Sequence, residues 1–168
     1  EANAYAAARG RKQISFASPN YGILDVVEDP WGGSAGALSI SGEENADARK
    51  WYLENKIAIF AYSGLAHGFL SGKLKSTDTK IQAAAILDRF AMKGFYSEEN
   101  RQRLARIEEK ALVYGCTVPE MALAWLLNQD LEVYPILSST RLENIRRNMG
   151  AVRIQLSPEE VSDMATVG

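Results

Sequence analysis

The sequence predicts an α/β fold built on a parallel sheet. Strand-like and helix-like segments alternate along the 168 residues, an order typical of parallel strands joined by helices. The segment "IAIFAY", residues 57–62, shows no polar alternation, which favours a strand buried on both faces. Only three strands are recognisable, and three parallel strands leave both sheet edges exposed. We therefore expect the chain to be part of a larger α/β sheet or barrel.

The elements are assigned in chain order from apolar periodicity and turn-forming residues. Residues 2–10 resemble the last turns of a helix that Gly10 ends. The three predicted strands are 13–17, 57–62 and 132–137, and loops are predicted for the middle of 18–42 and for 63–80. Helices are predicted at 41–56, 81–92, 97–115, 117–129, 141–150 and 157–165.

Cap residues mark the starts of several predicted helices. Ser97 opens the helix 97–115 and Gly115 closes it. The helix 117–129 is almost wholly apolar, so we expect most of its surface to be buried. In three helices a hydroxyl residue precedes a glutamate by three positions, which is the spacing of a capping box. These pairs are Ser41 with Glu44, Thr117 with Glu120, and Ser157 with Glu160.

Composition and charge limit the classes of partner. The chain is 46% hydrophobic and 24% charged, as in ordinary globular domains, and we treat residues 1–168 as a single domain. Its net charge of −2 gives no indication of nucleic acid or an anionic membrane as a partner. No apolar run approaches the roughly 20 residues that span a bilayer. The single cysteine, Cys116, fits a reducing compartment, and the predicted location is the cytosol.

The end of the third strand carries a candidate phosphate site. Three hydroxyl residues, Ser138, Ser139 and Thr140, are followed by Arg141 at the start of a helix. Helix N-termini, hydroxyl groups and a guanidinium all suit a phosphate dianion. Asn144 and Asn148 share one face of the same helix. The alternative is an ordinary N-cap region with a solvated arginine.

The end of the second strand carries a candidate site for a planar group. Tyr62 offers a flat ring, and the glycine-containing loop from Ser63 to Gly72 can wrap a pyrophosphate with its backbone N–H groups. Lys73 adds a positive charge. The alternative is a plain connector with Tyr62 in the core. No GxGxxG or P-loop pattern is present.

Together these stretches resemble the aldo/keto reductase family. "FAYSGLAHGFLSGKL" at 60–74 is similar to the family's motif that reads roughly YSPLxxGxLxGK. "SPNYGILD" precedes it, and "VPEMALAWLLNQ", "PILSSTRLENIRRNMGA" and "IQLSPEE" follow in the family's order. The resemblance implies a parallel (β/α)8 TIM barrel. This chain would cover strands six to eight and the C-terminal helices, with the N-terminal half absent.

The resemblance also implies an activity and a set of cofactor-binding residues. An enzyme of this family passes hydride from NADPH to a small-molecule aldehyde or ketone. Tyr62 would stack on the nicotinamide, and Ser63, Leu65 and Gly68 would line the pyrophosphate loop, with Lys73 nearby. The remaining residues would bind the adenosine end: Ser138, Ser139, Thr140 and Arg141 the phosphate, Asn144 the 2′-phosphate side, and Asn148 the adenine.

The chain also departs from the family pattern. Glycine stands at 64 where the family usually has proline, which predicts a looser loop, and Ser18 replaces a glutamine that often binds the carboxamide. Ser138 and Asn144 also differ from the usual residues. The family's catalytic Asp, Tyr, Lys and His lie on strands absent here, so no catalytic residue is assigned and the chain alone is expected to be inactive. His67 is interpreted as a loop or surface residue. The stretch 25–40, with Trp31, is a candidate for lining a substrate pocket.

Two other interpretations remain open. The chain can be a non-catalytic nucleotide-binding or regulatory module that rebuilds a barrel from half-barrels. It can also be a bare α/β fragment that binds nothing and associates with itself through exposed strand edges. Four further β/α units upstream, with the catalytic residues at strand ends, would favour the reductase.

Overall fold

The computed structural model describes residues 1–30 and 39–167. These residues form one parallel sheet of three strands, β1 (Phe16–Ala17), β2 (Ala58–Ala61) and β3 (Val133–Pro135). β2 lies in the middle, where Ile59 is in register with Ala17 on one side and with Val133 on the other. The predicted α/β fold with parallel strands is confirmed.

Helices fill the segments between and after the strands. The described residues contain eight α-helices: α1 (Ala2–Ala8), α2 (Ala46–Glu54), α3 (Lys80–Ile86), α4 (Arg89–Phe95), α5 (Glu98–Tyr114), α6 (Val118–Leu127), α7 (Leu142–Asn148) and α8 (Pro158–Ala165). Short 3-10 helices cover Glu43–Asn45, Ala66–Gly68 and Met149–Arg153.

Most of the predicted helix ends are confirmed. The hydroxyl of Ser97 accepts a hydrogen bond from the backbone N–H of Asn100 at 3.1 Å, and α5 ends at Gly115 in the left-handed conformation, with φ +63°. The carboxylate of Glu120 accepts from the backbone N–H of Thr117 at 2.9 Å. The box at the start of α8 is complete, with distances of 3.0 and 3.2 Å between its two donor–acceptor pairs.

The predicted capping box of Ser41 and Glu44 is wrong. The Ser41 side chain is buried, and its hydroxyl accepts a hydrogen bond from the backbone N–H of Gly22 at 3.0 Å. The helical segment begins instead after Gly42, without a side-chain cap. The Ser41 hydroxyl thus pairs with a buried backbone N–H in the loop after β1 and does not cap the helix. Leaving a buried N–H unpaired costs more free energy than leaving a helix end to be hydrated by water.

The single helix predicted at 81–92 is two helices. Leu87 is extended, with φ −91° and ψ 146°, and it separates α3 from α4. Asp88 then caps α4, because its carboxylate accepts from the backbone N–H of Ala91 at 2.7 Å. An aspartate in the middle of the apolar pattern is the sequence signal for this break.

The sheet is covered on one face, which corrects the prediction of a fully buried second strand. Ile59 is wholly buried, whereas Phe60 is 38% exposed. The rings of Phe16, Phe60 and Tyr134 form a row across the three strands, with centroids 5.3 and 5.2 Å apart. The first strand is also shorter than predicted, and Ile14 before it is 57% exposed. Among the described residues, helices pack against the face that carries Ile59, and alternate side chains of the strands are open to solvent.

The core lies between the covered sheet face and α6. Eight of the ten residues of α6 are buried, as its apolar sequence predicts. Trp125 on this helix donates its indole N–H to the backbone carbonyl of Val161 on α8 at 2.9 Å. Its ring also packs edge-on against Tyr21, with centroids 5.7 Å apart. The helix α6 therefore joins the sheet, the loop after β1 and the C-terminal helix.

Candidate functional site

The loop after β2 has an unusual backbone conformation. Three non-glycine residues have positive φ angles: Ser63 at 54°, Ala66 at 49° and His67 at 51°. Gly68 follows with φ +89°, a conformation that would be strained for a residue with a side chain. Left-handed non-glycine residues cost free energy and occur where the surrounding structure requires them, often at ligand sites. The loop thus has a defined shape held by its surroundings.

The loop around Gly64 was predicted to be loose, but the backbone of Gly64 packs closely against its neighbours. An added Cβ would lie 2.6 Å from the Cδ1 of Leu126 on α6. The Gly64 carbonyl oxygen also lies 3.2 Å from the position of a Cβ on Gly22. The absence of a side chain therefore lets two loops and a helix approach one another closely.

Tyr62 is fixed by the loop that follows β1. Its backbone N–H donates to the carbonyl of Pro19 at 3.2 Å, and its own carbonyl accepts from the Asn20 side chain at 3.2 Å. Asn20 is 1% exposed. Burial raises the pKa of the Tyr62 hydroxyl, and the negative charge of Asp29 raises this pKa further. The phenol of Tyr62 therefore stays protonated at neutral pH. The backbone of this residue is held by hydrogen bonds to the segment that follows β1.

The loop after β3 forms a relay of polar contacts with α7. The Ser139 hydroxyl accepts from the backbone N–H of Arg141 at 3.1 Å and from the side-chain amide of Asn144 at 3.2 Å. The carbonyl oxygen of Asn144 accepts in turn from Nη2 of Arg147 at 3.2 Å. These contacts hold the hydroxyl-rich loop against one face of α7.

Both loops line the same cavity, whose volume is about 900 Å³. All the predicted cofactor-binding residues lie on its wall: Tyr62, Ser63, Leu65, Gly68, Lys73, Ser138, Ser139, Thr140, Arg141, Asn144 and Asn148. They come from two segments of the chain more than sixty residues apart. Parallel strands explain the meeting, because the carboxyl ends of β2 and β3 lie at the same edge of the sheet.

The charges on the cavity wall are of one sign. Lys73, Arg141 and Arg147 line it, and no aspartate or glutamate is among its described lining residues. A concave surface with cations and hydroxyl groups but no carboxylate favours an anionic ligand. A volume of about 900 Å³ is at the upper end of the range for small-molecule sites, roughly 300–1,000 Å³.

Two buried polar atoms on this wall lack partners in the described part of the chain. They are Oδ1 of Asn148 and Nε of Arg147. Asn148 is 9% exposed, so water has little access to its side chain. Buried polar atoms are almost always hydrogen-bonded in folded proteins. These two atoms are therefore positions where a ligand can supply the missing partner.

Sequence reasoning omitted some lining residues and proposed others that lie elsewhere. Arg147 lines the cavity but was not predicted, because three arginines fall within seven residues and the sequence does not show which one turns inward. His67, interpreted as a loop or surface residue, lies in the loop after β2, where it is half-buried on the cavity wall and stacks on Phe90 with centroids 5.7 Å apart. Ser18 does not line the cavity, and its hydroxyl donates to the carbonyl of Phe60 at 2.8 Å. Trp31 lies outside the described residues.

Comparison with known sequences shows the family. A sequence profile of the aldo/keto reductase family matches residues 38–168. The chain belongs to this family. The aldo-keto reductase yakc of Schizosaccharomyces pombe, whose name includes NADP(+), is 32% identical over 113 residues. The match covers 66% of this chain and 33% of that protein, so the chain spans about a third of the length of this relative.

Solved aldo-keto reductases share the fold. One is a thermostable aldo-keto reductase in complex with the inhibitor epalrestat. The match covers 96% of this chain and 43% of that one, with a TM-score of 0.59 and 23% identity. Another is an aldo-keto reductase from Klebsiella pneumoniae in complex with NADPH. The match covers 89% of this chain and 38% of that one, with a TM-score of 0.52 and 21% identity. The three parallel strands and their helices therefore correspond to part of an aldo-keto reductase barrel.

The part of the chain that the structure describes contains neither a metal-binding cluster nor a membrane-spanning helix. In residues 1–30 and 39–167, no group of three or more His, Cys, Asp and Glu side chains is placed to hold a metal ion. In the same residues, no helix has both the length and the apolar character needed to cross a membrane.

Proposed function

We propose that this chain is the cofactor-binding part of an NADPH-dependent reductase that converts aldehydes or ketones to alcohols. The observation that carries the proposal is the single cavity formed by the loops after β2 and β3, with three cations and no carboxylate on its described wall. The family membership supports an oxidoreductase. The names of the yeast relative and of the Klebsiella structure support NADP as the cofactor.

The residues of the cavity fit the parts of this cofactor. Tyr62 presents a ring for the nicotinamide, and the loop of Ser63, Leu65 and Gly68, with Lys73 beside it, suits the pyrophosphate. Ser138, Ser139, Thr140 and Arg141 suit the phosphate of the adenosine end, with Asn144 toward the 2′-phosphate and Asn148 toward the adenine. Every one of these side chains or backbones lies on the cavity wall.

The buried asparagine provides a test of this fit within the structure. The Oδ1 atom of Asn148 is a hydrogen-bond acceptor without a donor among the described residues. Leaving such an acceptor unpaired costs about 1–3 kcal/mol. The exocyclic amine of adenine is a donor that would remove this cost. The residues present therefore fit an adenine nucleotide.

The chemistry divides between the bound cofactor and the protein. NADPH supplies a hydride to the carbonyl carbon when it is bound. The described residues position it: Tyr62 is fixed through Pro19 and Asn20, and its protonated phenol offers an uncharged ring surface. No described residue is assigned as the acid that would protonate the carbonyl oxygen. We therefore propose that the isolated chain binds cofactor without turning over substrate.

The proposal includes the place of the chain in a barrel. Residues 1–168 would form one domain that corresponds to strands six to eight and the C-terminal helices of a (β/α)8 barrel. The two solved structures support this, since the chain covers 43% and 38% of them. The cytosolic location stays a prediction whose support is the single cysteine.

Cofactor titration tests the proposal. NADPH and NADH are added separately to the purified chain while tryptophan and nicotinamide fluorescence are followed. We expect saturable binding that favours NADPH and that Arg141→Ala weakens. Arg146→Ala is a matched control, because Arg146 is exposed and does not line the cavity. Absence of binding to a chain that circular dichroism shows to be folded would contradict the proposal.

The non-catalytic alternative makes the same binding prediction and needs a separate observation. A reductase requires the remaining β/α units of the barrel before this segment, with the family's Asp, Tyr, Lys and His at strand ends. Sequencing the coding region upstream of residue 1 distinguishes the two functions. A coding region that lacks these units would favour the nucleotide-binding module.

A further inference from the structure

A second cavity, of about 420 Å³, is lined by a different set of residues from the first. Its wall is formed by the loop after β1, the start of α2, and the helices α5, α6 and α8. Among the described residues, none lines both this cavity and the cavity of about 900 Å³. Its volume falls within the range of roughly 300–1,000 Å³ that is typical of small-molecule sites. The fold therefore contains room for a ligand outside the proposed cofactor site.

The charged side chains on the described wall of this second cavity are two of each sign: Asp25, Glu43, Arg49 and Arg103. Arg103 is 7% exposed and pairs with Asp25 at 2.8 Å, so these two charges neutralise each other. The Glu43 side chain is 98% exposed, and its carboxylate lies 4.0 Å from Nη2 of Arg49. An exposed pair at this distance is weak. Arg49 is therefore the cation of this described wall whose charge is least compensated.

The guanidinium of Arg49 also has unused hydrogen-bonding capacity. Its Nη1 donates to the backbone carbonyls of Ile40, at 2.7 Å, and Gly42. These bonds fix the side chain against the segment that precedes α2. Nε and Nη2 donate no hydrogen bond to the described residues. Since a guanidinium is a planar fork of N–H groups, Arg49 presents an anchored fork whose remaining donors are available to a ligand.

Aromatic and apolar side chains form another part of the same wall. The rings of Trp125 and Tyr21 pack edge to face, with centroids 5.7 Å apart, and Ile23 and Val161 line the cavity with them. The indole N–H of Trp125 is already bonded to the carbonyl of Val161. Burial raises the pKa of the Tyr21 hydroxyl to about 12, although the nearby charge of Arg49 acts in the opposite direction. The cation thus lies close to an uncharged aromatic surface.

We propose that this second cavity binds a small monocarboxylic acid with an aromatic body. The carboxylate would accept hydrogen bonds from the unused N–H groups of Arg49, and the ring would pack beside Trp125 and Tyr21. A guanidinium suits this ligand because its fork pairs with both oxygens of a carboxylate. A phosphate dianion fits less well, because the two carboxylates of the same wall repel a double charge more strongly. This site does not depend on the proposed cofactor site.

Titration of 2-naphthoate, with 2-naphthamide as its uncharged counterpart, tests the proposal. Each compound is added to the isotope-labelled chain, and the indole N–H signal of Trp125 is followed by NMR after its assignment with Trp125→Phe. This signal reports on the second cavity, because Trp125 lines it. We expect saturable shifts with 2-naphthoate, and binding of the amide that is at least about tenfold weaker because a charge-assisted hydrogen bond is lost.

Two arginine variants separate the proposed contact from a general effect of charge. Arg49→Gln is expected to weaken 2-naphthoate binding roughly 10-fold to 100-fold. Arg101→Gln is the matched control, because the Arg101 side chain is 27% exposed against 22% for Arg49 and also donates to a backbone carbonyl, that of Ser76. Arg101 does not line the second cavity, so we expect a change of less than about twofold.

Several outcomes would overturn the carboxylate site. They are an unchanged Trp125 signal, equal affinity for the acid and the amide, displacement of 2-naphthoate by NADPH, and equal affinity of Arg49→Gln and the wild type. If Arg49→Gln does not fold, Ser162→Phe is used instead, because Ser162 is exposed and lines the second cavity. This variant is expected to block 2-naphthoate, and unchanged binding would overturn the site. Failure of NADPH to bind contradicts the proposed function alone.

Discussion

The guanidinium of Arg103 forms an ion pair with the carboxylate of Asp25, with 2.8 Å between Nη2 and Oδ2. The same guanidinium donates through Nε to the carbonyl of Ala165 at 2.8 Å and through Nη1 to the side chain of Asn100 at 3.0 Å. Arg103 is 7% exposed. One side chain of α5 thus connects the loop after β1 with the end of α8.

Substitution of Arg103 is expected to destabilise the chain strongly. Arg103→Gln leaves the Asp25 carboxylate and the Ala165 carbonyl without their donor, so we expect a loss of about 2–4 kcal/mol in the free energy of unfolding. Urea denaturation followed by circular dichroism measures it. Arg106→Gln is the control, because Arg106 pairs with Asp163 at the surface, where a loss below about 1 kcal/mol is expected. Similar losses in the two variants would show that the Arg103 contacts are not specially stabilising.

The Asp25 carboxyl is expected to make stability depend on pH. Burial raises its pKa above the ordinary value, although the charge of Arg103 opposes this shift. Because the folded state then binds the proton more tightly, the contribution of Asp25 to stability is largest below its unfolded pKa of about 3.9. This contribution is lost as pH rises through the folded value. The free energy of unfolding is measured in urea for the wild type and Asp25→Asn, and their difference should fall across this window. A flat or rising difference would contradict the assignment.

The hydroxyl of Ser41 is expected to matter far more than its supposed capping partner. Ser41→Ala leaves the backbone N–H of Gly22 buried and unpaired, which predicts a loss of about 1–3 kcal/mol. Glu44 is exposed and caps no helix, so Glu44→Ala should change stability by less than about 0.5 kcal/mol. Thermal and urea unfolding of the two variants check this. Equal losses of stability in the two variants would instead support the capping box that the sequence predicted.

Local patterns in the sequence predicted the features that depend on neighbouring residues. The cap at Ser97 and the boxes at Thr117 and Ser157 are satisfied within three residues, so sequence spacing was sufficient to find them. The hydroxyl of Ser41 forms its hydrogen bond across the fold instead, and spacing alone could not show this. The exposure of Phe60 likewise depends on what covers each sheet face, which no local pattern specifies.

The candidate site shows the same division. The residues of its two loops follow strand ends, and parallel topology predicts that strand ends meet, so the chain sequence was enough to group them. The inward direction of Arg147 depends on the rotation of α7 about its axis. Arg141, Arg146 and Arg147 are chemically identical, and only the packed structure shows that Arg141 and Arg147 line the cavity whereas Arg146 does not.

The aromatic row on the open sheet face is expected to cause self-association. Phe60 is 38% exposed and Tyr134 is 48% exposed, beside the exposed ring of Phe16, and large exposed apolar patches favour association. We expect the average mass in sedimentation velocity to rise with protein concentration. The double variant Phe60→Lys/Tyr134→Lys should lower this mass. Ile81→Lys, at an 84% exposed position on α3, is the control and should leave it unchanged. Equal effects of both changes would indicate a general charge effect.

The parallel register of β2 with β3 also affects how quickly the cavity can form. Ile59 pairs with Val133 across four intervening helices, and contacts between such distant parts of a chain slow folding. Since one cavity wall follows β2 and the other follows β3, neither wall is complete before this pairing. Nucleotide added during refolding should therefore bind only in the slowest kinetic phase, when the last strand joins the sheet. A chain still being synthesised would acquire its binding site only after residue 148 has left the ribosome.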